Sequence, residues 1–176
     1  MKLMITHVTT AEEIAEVARL AADIWLEYYV SILTTEQIEY MIGKYQSVSA
    51  ITEQILHQGY EYYLIQHDGS STVGYMAVKQ EEGKLFLSKF YIGKEHRGRG
   101  YGSQALAFLE QLGKDRNLSA IWLTVNRHNE SSIAVYERKG FTIVREQIAD
   151  IGNGHVMDDY VMEKKLPVST EKGGPQ

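Results

Sequence analysis

Cysteine is absent from this chain, which removes disulfides, thiolate zinc sites and cysteine nucleophiles together. Nor does any stretch reach the ~18 consecutive apolar residues of a membrane-spanning helix. The first residues, Met1-Lys2-Leu3-Met4-Ile5-Thr6-His7, hold too short an apolar segment for a secretory leader, so a cytoplasmic location is the default expectation. Positive charge is scarce: 18 Lys and Arg stand against 23 Asp and Glu, a net charge of -5. General nucleic-acid binding needs the opposite balance, so neither nucleic acid nor membrane is an expected partner. The histidines, His7, His57, His67, His96, His128 and His155, fall in no ligand spacing, and no metal is expected. No repeat or linker interrupts the 176 residues. They suit one domain over residues 1–167, with a flexible tail over 168–176 that has little to anchor it.

What is present is a regular alternation of helix and strand signals. Residues 1–8 alternate loosely, as a strand does. Thr10 and Glu13 form a capping box, and Ile14, Val17, Ala18, Ala21, Trp25 and Tyr28 share a face, predicting a helix over 10–29. Thr34 and Gln37 repeat the signature for a helix over 34–45, and a short third is expected over 49–57. Strands are expected over 60–67, 73–79 and 84–92, the first two joined by an Asp68-Gly69-Ser70 turn. Helical spacing returns over 102–112. Residues 120–125 form an apolar run of the kind found in strands buried on both faces. Asn129 caps a further helix that ends at Lys139-Gly140. Residues 141–149 and 156–164 close the sequence as a hairpin through Gly152-Asn153-Gly154. The order predicts an α/β (α+β) three-layer domain with antiparallel character at both ends.

One local cluster stands out on the acidic chain. Lys94, Arg97 and Arg99 crowd the turn Arg97-Gly98-Arg99-Gly100-Tyr101-Gly102-Ser103, with Glu95 against them. A positive island suits an anionic small ligand, and a solvated loop is the competing reading. A strand, a glycine turn and a helix in succession aim backbone N–H groups at one point, which makes an anion site. Two nucleotide readings fail on spacing. A dinucleotide fingerprint started at Gly98 would end on Ser103 instead of glycine, and no acidic ribose anchor follows ~20 residues on. A P-loop would need a lysine after its last glycine, where Gly102-Ser103-Gln104 has none. Arg-x-x-Gly-x-Gly remains, and alone it could be a purely structural turn.

A second motif follows at the expected distance. Arg97-x-x-Gly100-x-Gly102, then the buried strand, then Asn129-Glu-Ser-Ser-Ile-Ala134-Val-Tyr136-Glu-Arg-Lys-Gly140-Phe141 together resemble the GNAT acetyltransferase superfamily. The resemblance covers roughly residues 64–166. It implies a mixed central sheet of about seven strands, splayed in the middle, with helices on both faces. It implies acetyl-CoA as co-substrate and transfer to a primary amine by direct attack in a ternary complex. By the same resemblance Phe90, Tyr91 and Ile92 lend backbone groups to the pantetheine and the thioester carbonyl, where an N–H would stabilise the oxyanion. Arg99 through Ser103 (with Gly100, Tyr101 and Gly102 between) would surround the diphosphate, and Arg97 and Gly98 complete the coenzyme-binding set. Asn129 would contact the coenzyme, or serve as a plain N-cap.

Tyr136 is the implied general acid, since the departing thiolate needs a proton; the alternative is a core side chain, because Ile133 and Tyr136 share a face. No spacing rule selects a general base among Glu27, His155, Asp158 and Asp159. On the acceptor side, Trp25, Tyr28 and Tyr29 end the first long helix, and His155 and Asp158 sit in a polar segment of the last hairpin. The C-terminal pattern looks like polyamine acetyltransferases of the PaiA type, which implies a polyamine or other small amine as acceptor. Other classes stay open: an acyl-CoA-binding sensor without turnover, or an acetyltransferase for a macromolecular amine such as a protein N-terminus. A homodimer is an expectation of the resemblance alone.

Overall fold

Capping residues and apolar stripes set the helices of the first third of the chain. In the computed structural model Thr10 caps α1 (Ala11–Tyr29) in a complete capping box: Glu13 N–H donates to Thr10 Oγ1 at 3.1 Å, and Thr10 N–H donates to Glu13 Oε1 at 3.0 Å. Thr34 caps α2 (Thr35–Tyr45) and Ser47 caps α3 (Val48–His57), each through its side-chain oxygen. The structure describes residues 3–68, 71–152 and 154–167, and only the backbone of Ile151 and His155. The expected Gly69-Ser70 turn, Asn153 and the tail lie outside the described residues.

The strands are β1 (Leu3–His7), β2 (Tyr60–His67), β3 (Ser71–Glu81), β4 (Lys84–Ile92), β5 (Ala120–Asn126), β6 (Thr142–Gly152) and β7 (His155–Lys165). Helices α4 (Tyr101–Asp115) and α5 (Glu130–Arg138) flank β5 in sequence. The strand order is β1-β2-β3-β4-β5-β7-β6. It is the seven-stranded mixed α/β arrangement expected from the sequence. The parallel ladder between β4 and β5 is short, running from Lys84↔Ala120 to Phe86↔Trp122. Two compact units can be distinguished: Met1–Lys79 with Ser88–Ala105, and Gln80–Leu87 with Leu106–Gln176.

The first unit buries Val17, Ala21, Ile24 and Trp25 of α1 with Ile38, Met41 and Ile51 of α2 and α3. Antiparallel β2 and β3 add Tyr62, Leu64, Ile65, Tyr75, Met76 and Val78. Two tyrosines in such a core need partners, and a one-way hydrogen-bond chain supplies them. Trp25 Nε1–H donates to Tyr75 Oη at 2.8 Å, and Tyr75 donates to Gln46 Oε1 at 2.6 Å. Gln46 Nε2 donates to Tyr62 Oη at 2.8 Å, and Tyr62 donates to Gln54 Oε1 at 2.6 Å. Gln54 closes the chain on the Tyr45 carbonyl at 2.8 Å. Burial holds both phenols above their ordinary pKa, so they stay neutral donors. Replacing Gln46 with leucine strands both ends of the middle link. It is expected to cost about 2–4 kcal/mol, measured by urea unfolding; an unchanged midpoint would show that the chain carries no stability.

The second unit is built on β5, with β4 residues parallel on one side and β7 antiparallel on the other. Here the expectation of burial on both faces is corrected. Ile121, Leu123 and Val125 are fully buried, while Trp122 and Thr124 on the opposite face are only half-buried. An unbroken apolar run conceals this alternation, because Trp and Thr suit a half-open face as well as a closed one. Trp122 stacks on Phe86 at 4.2 Å, which covers part of that face. Lys84–Glu163 and Lys164–Glu110 pair at 2.7 Å in partly buried surroundings.

Candidate active site

In the first unit the chain leaves β4 by a fixed exit. Gly93 N–H donates to Val73 C=O at 2.8 Å, a single 3₁₀ turn follows at Lys94–His96, and α4 opens at Tyr101. Gly98 and Gly100 adopt φ of 80° and 85°, a backbone region in which a side chain is strained. Gly102 is different. It lies in α4, and a Cβ there would meet only the Phe90 ring at an ordinary 3.8 Å. The chain's own packing does not require that glycine. Gly98, Arg99, Gly100 and Ser103 are exposed, and Tyr101 is buried beside His67, so Tyr101 can offer a ligand little but its backbone.

Arg97 is committed elsewhere. Its Nε–H donates to the Ile92 carbonyl at 2.9 Å, its Nη2 reaches Glu27 Oε1 at 2.7 Å, and its guanidinium covers the Tyr28 ring at 4.8 Å. Lys94 and Arg99 are the other exposed cations of the turn. The same clamp ties the turn to the end of α1. There Trp25, Tyr28 and Tyr29 gather around Tyr91 of β4, and the Tyr29 and Tyr91 hydroxyls share a 2.7 Å hydrogen bond. Burial first, and the neighbouring phenols second, hold Tyr91 well above the ordinary tyrosine pKa. Trp25 is 3% exposed and bonded to Tyr75, so it is the floor of this cluster; Tyr28 and Tyr29 are half-buried.

In the second unit Asn129 caps α5: its Oδ1 accepts from Ser132 N–H at 3.3 Å and from Ser131 Oγ at 3.4 Å. Tyr136, two turns on, is half-buried with its ring edge-on to Phe141 at 5.5 Å. Gly140 (φ 98°) ends the helix as expected. The hairpin departs from expectation. Asp158 is paired with Arg127 Nη2 at 2.9 Å, which also holds Glu146 at 2.7 Å, and the guanidinium sits over Tyr160 at 4.9 Å. A carboxylate matched in this way is a weak attraction for a second cation. The His155 side chain lies outside the described residues. Asp159 is buried, and burial first and the Asp158 charge second push its carboxyl up to about 6.

A family model described as the Acetyltransferase (GNAT) family matches residues 18–141. The chain belongs to the GNAT acetyltransferases. It is 26% identical over 121 residues to the uncharacterized N-acetyltransferase of the pepI 3' region of Lactobacillus delbrueckii subsp. lactis, covering 64% of this chain and 69% of that one. A probable spermine N(1)-acetyltransferase of Bacillus subtilis subsp. natto is 31% identical over 62 residues, 35% of this chain and 41% of its own. Among solved structures, the PaiA N-acetyltransferase of Thermoplasma acidophilum, in complex with coenzyme A, superposes with a TM-score of 0.77 at 22% identity. That match covers 94% of this chain and 100% of the other, and at this identity it speaks to the fold.

Two residues of this GNAT chain escaped the sequence reading. Lys89 of β4 donates to Ser88 Oγ at 2.6 Å, and burial pushes its amine down to about 8. Arg127 follows β5 and finds its partners on β6 and β7. Arg127 has no local signal, since strand register brings its partners to it.

Proposed function

We propose that this chain moves the acetyl group of acetyl-CoA directly onto a primary amine of a small molecule, with a polyamine as the first acceptor class to try. The observation that carries the reading is the turn: two left-handed glycines open α4, and a third, Gly102, is a glycine for which the chain's own packing gives no reason. A diphosphate lying against that backbone supplies the reason, because phosphate oxygens need the space a Cβ would take. Arg99 and Lys94 add the exposed charge, while Arg97 braces the turn through Glu27. The backbone of Phe90, Tyr91 and Ile92 runs along the pantetheine and presents an N–H to the thioester oxygen as it gains charge. Asn129 approaches the coenzyme from the head of α5, and Tyr136 protonates the leaving thiolate.

For the acceptor, the relative named as a probable spermine N(1)-acetyltransferase and the fold shared with PaiA support an amine of that class. Of the two rings at the end of α1, Tyr29 can face an ammonium group, while Tyr28 already carries the Arg97 guanidinium. The pairing of Asp158 with Arg127 shifts the weight of recognition from the last hairpin to that end of α1. The test is coenzyme A release with spermidine, spermine, single amino acids and peptide amines side by side. Polyamines are expected to turn over at least tenfold faster, by kcat/KM, than amino acids. No turnover with polyamines alongside turnover of a peptide amine would sink the acceptor class while leaving acetyl transfer standing.

A further inference from the structure

The glycine turn after β4 has little of its own to hold it. A Cβ at Gly98 or Gly100 would meet nothing within 4 Å among the described residues. Glycine is also the least restrained residue of the chain. The place of the turn is therefore set by its two ends. At the far end Tyr101, 2% exposed, anchors the start of α4. At the near end stands Arg97.

Arg97 is held in three directions. Its Nε–H reaches back over the 3₁₀ turn to the Ile92 carbonyl at 2.9 Å. Its Nη2 and Nη1 both donate to Glu27 of α1, at 2.7 and 3.4 Å. Its plane lies over the Tyr28 ring. The next residue after Ile92, Gly93, is itself fixed to β3 by its N–H on the Val73 carbonyl. One guanidinium thus joins the end of α1, the end of β4 and the first residue of the turn. A planar fork can do this, and the point charge of a lysine cannot. Glu95, the carboxylate within the turn's own sequence, stands 3.9 Å from His96 Nε2 instead. All of these residues belong to the first unit.

We propose that Glu27 is a positioning residue for the coenzyme. It holds Arg97, so that the backbone N–H groups of residues 98–103 are already aimed where the diphosphate lands. The assignment rests on the reading of this turn as the coenzyme site, and Glu27 acts only through Arg97. A ligand that needs an ordered turn binds more weakly in proportion to the time the turn spends disordered. An exposed ion pair can impose that order while adding little to global stability. The effect runs against charge alone. Glu27 is an anion beside a site for an anion, and its removal leaves Arg97 with an unmatched positive charge next to the turn. Coulomb attraction by itself then predicts that Glu27→Gln binds coenzyme more tightly. The brace predicts the opposite sign.

The test is calorimetric titration with coenzyme A, at one salt concentration, of wild type, Glu27→Gln, Arg97→Lys, Arg97→Gln and the double variant Glu27→Gln/Arg97→Gln. Glu27→Gln is expected to bind about fivefold more weakly than wild type. Arg97→Lys and Arg97→Gln are expected to lose about tenfold each, because lysine restores the charge and not the fork. The double variant should match Arg97→Gln, since Glu27 then has nothing left to hold. In turnover, the apparent KM of Glu27→Gln for acetyl-CoA rises about fivefold while kcat at saturation stays within about twofold, because bound coenzyme orders the turn. Amide hydrogen exchange over residues 98–103, without ligand, should quicken at least about threefold in Glu27→Gln while its melting point stays within about 2 °C. Glu27→Gln binding as tightly as wild type, or more tightly, overturns the assignment alone, and so does an Arg97→Lys chain that keeps wild-type affinity. Weaker binding that comes with a large fall in melting point would make the pair a general stabiliser and overturn it too. A wild type that binds no coenzyme A overturns the reading of the turn, and the assignment with it.

Discussion

Replacing Tyr136 with phenylalanine is expected to slow acetyl transfer by about 10³-fold while acetyl-CoA affinity stays within about twofold. The substitution removes one oxygen and keeps the ring that meets Phe141 edge-on at 5.5 Å, so the packing at the end of α5 survives. The two ends of the helix are held by other groups. Its start is held by Asn129, and its end by Gly140 and by the Phe141 N–H on the Tyr136 carbonyl at 3.0 Å. On the role proposed for Tyr136, what is lost is the proton for the departing sulfur. The loss should therefore fall on kcat, with little change in either KM. Single-turnover mixing with preformed acetyl-CoA complex would separate chemistry from release. Full activity in the variant would reduce Tyr136 to a packing residue. A wild-type chain that binds coenzyme but turns over no amine, small or macromolecular, would instead make this a sensor.

The features legible from sequence are those whose cause lies within a few residues. The Thr10–Glu13 capping box, the Asn129 cap and the Gly140 helix end each close over three or four positions, and each stands where the spacing puts it. The glycine turn between β4 and α4 was legible for the same reason: strand, turn and helix follow one another directly along the chain. What stayed hidden depends on register between distant segments. Arg97 reads as a cation of the turn, but Glu27, seventy positions away, takes its charge. Asp158 reads as an inviting carboxylate until the pairing of β7 with β5 and β6 brings Arg127 and Glu146 to it. Nothing local marks Gln46 and Gln54 for burial, and only their hydrogen bonds to the Tyr62 and Tyr75 hydroxyls show why they are buried. The half-open face of β5 was concealed because hydropathy does not distinguish Trp122 on a partly covered face from Ile121 in the core.

Glycines show the same divide, and Gly74→Ala is the sharpest test of it. Gly74 lies in β3 across from Ile65 of β2 and carries no positive φ, so nothing in its own backbone demands glycine. The demand comes from β4. A Cβ at Gly74 would stand 2.2 Å from the Tyr91 carbonyl oxygen and 3.1 Å from the Ile92 Cα. Both are backbone, so no rotamer change relieves the clash; the two strands must part. Parting them strains the Gly93 N–H bond to the Val73 carbonyl and the Tyr29–Tyr91 hydroxyl pair. Overpacking that side chains can absorb costs about 1–3 kcal/mol, and a rigid backbone clash lies beyond that range, on the order of 4 kcal/mol or more. Gly113 is the control. There the nearest atom, at 2.5 Å, is the terminal Cδ1 of Leu166, which can turn aside, and alanine gains about 1 kcal/mol of helix propensity within α4. Gly113→Ala should therefore unfold within about 1 kcal/mol of wild type, while Gly74→Ala loses most of its stability. Any folded fraction of Gly74→Ala should bind acetyl-CoA at least tenfold more weakly, because Tyr91 and Ile92 are the backbone proposed to run beside the pantetheine. Denaturant titration and coenzyme binding on the two variants measure both effects. A Gly74→Ala chain as stable as Gly113→Ala would mean that β3 and β4 do not approach as closely as the carbonyl contact requires.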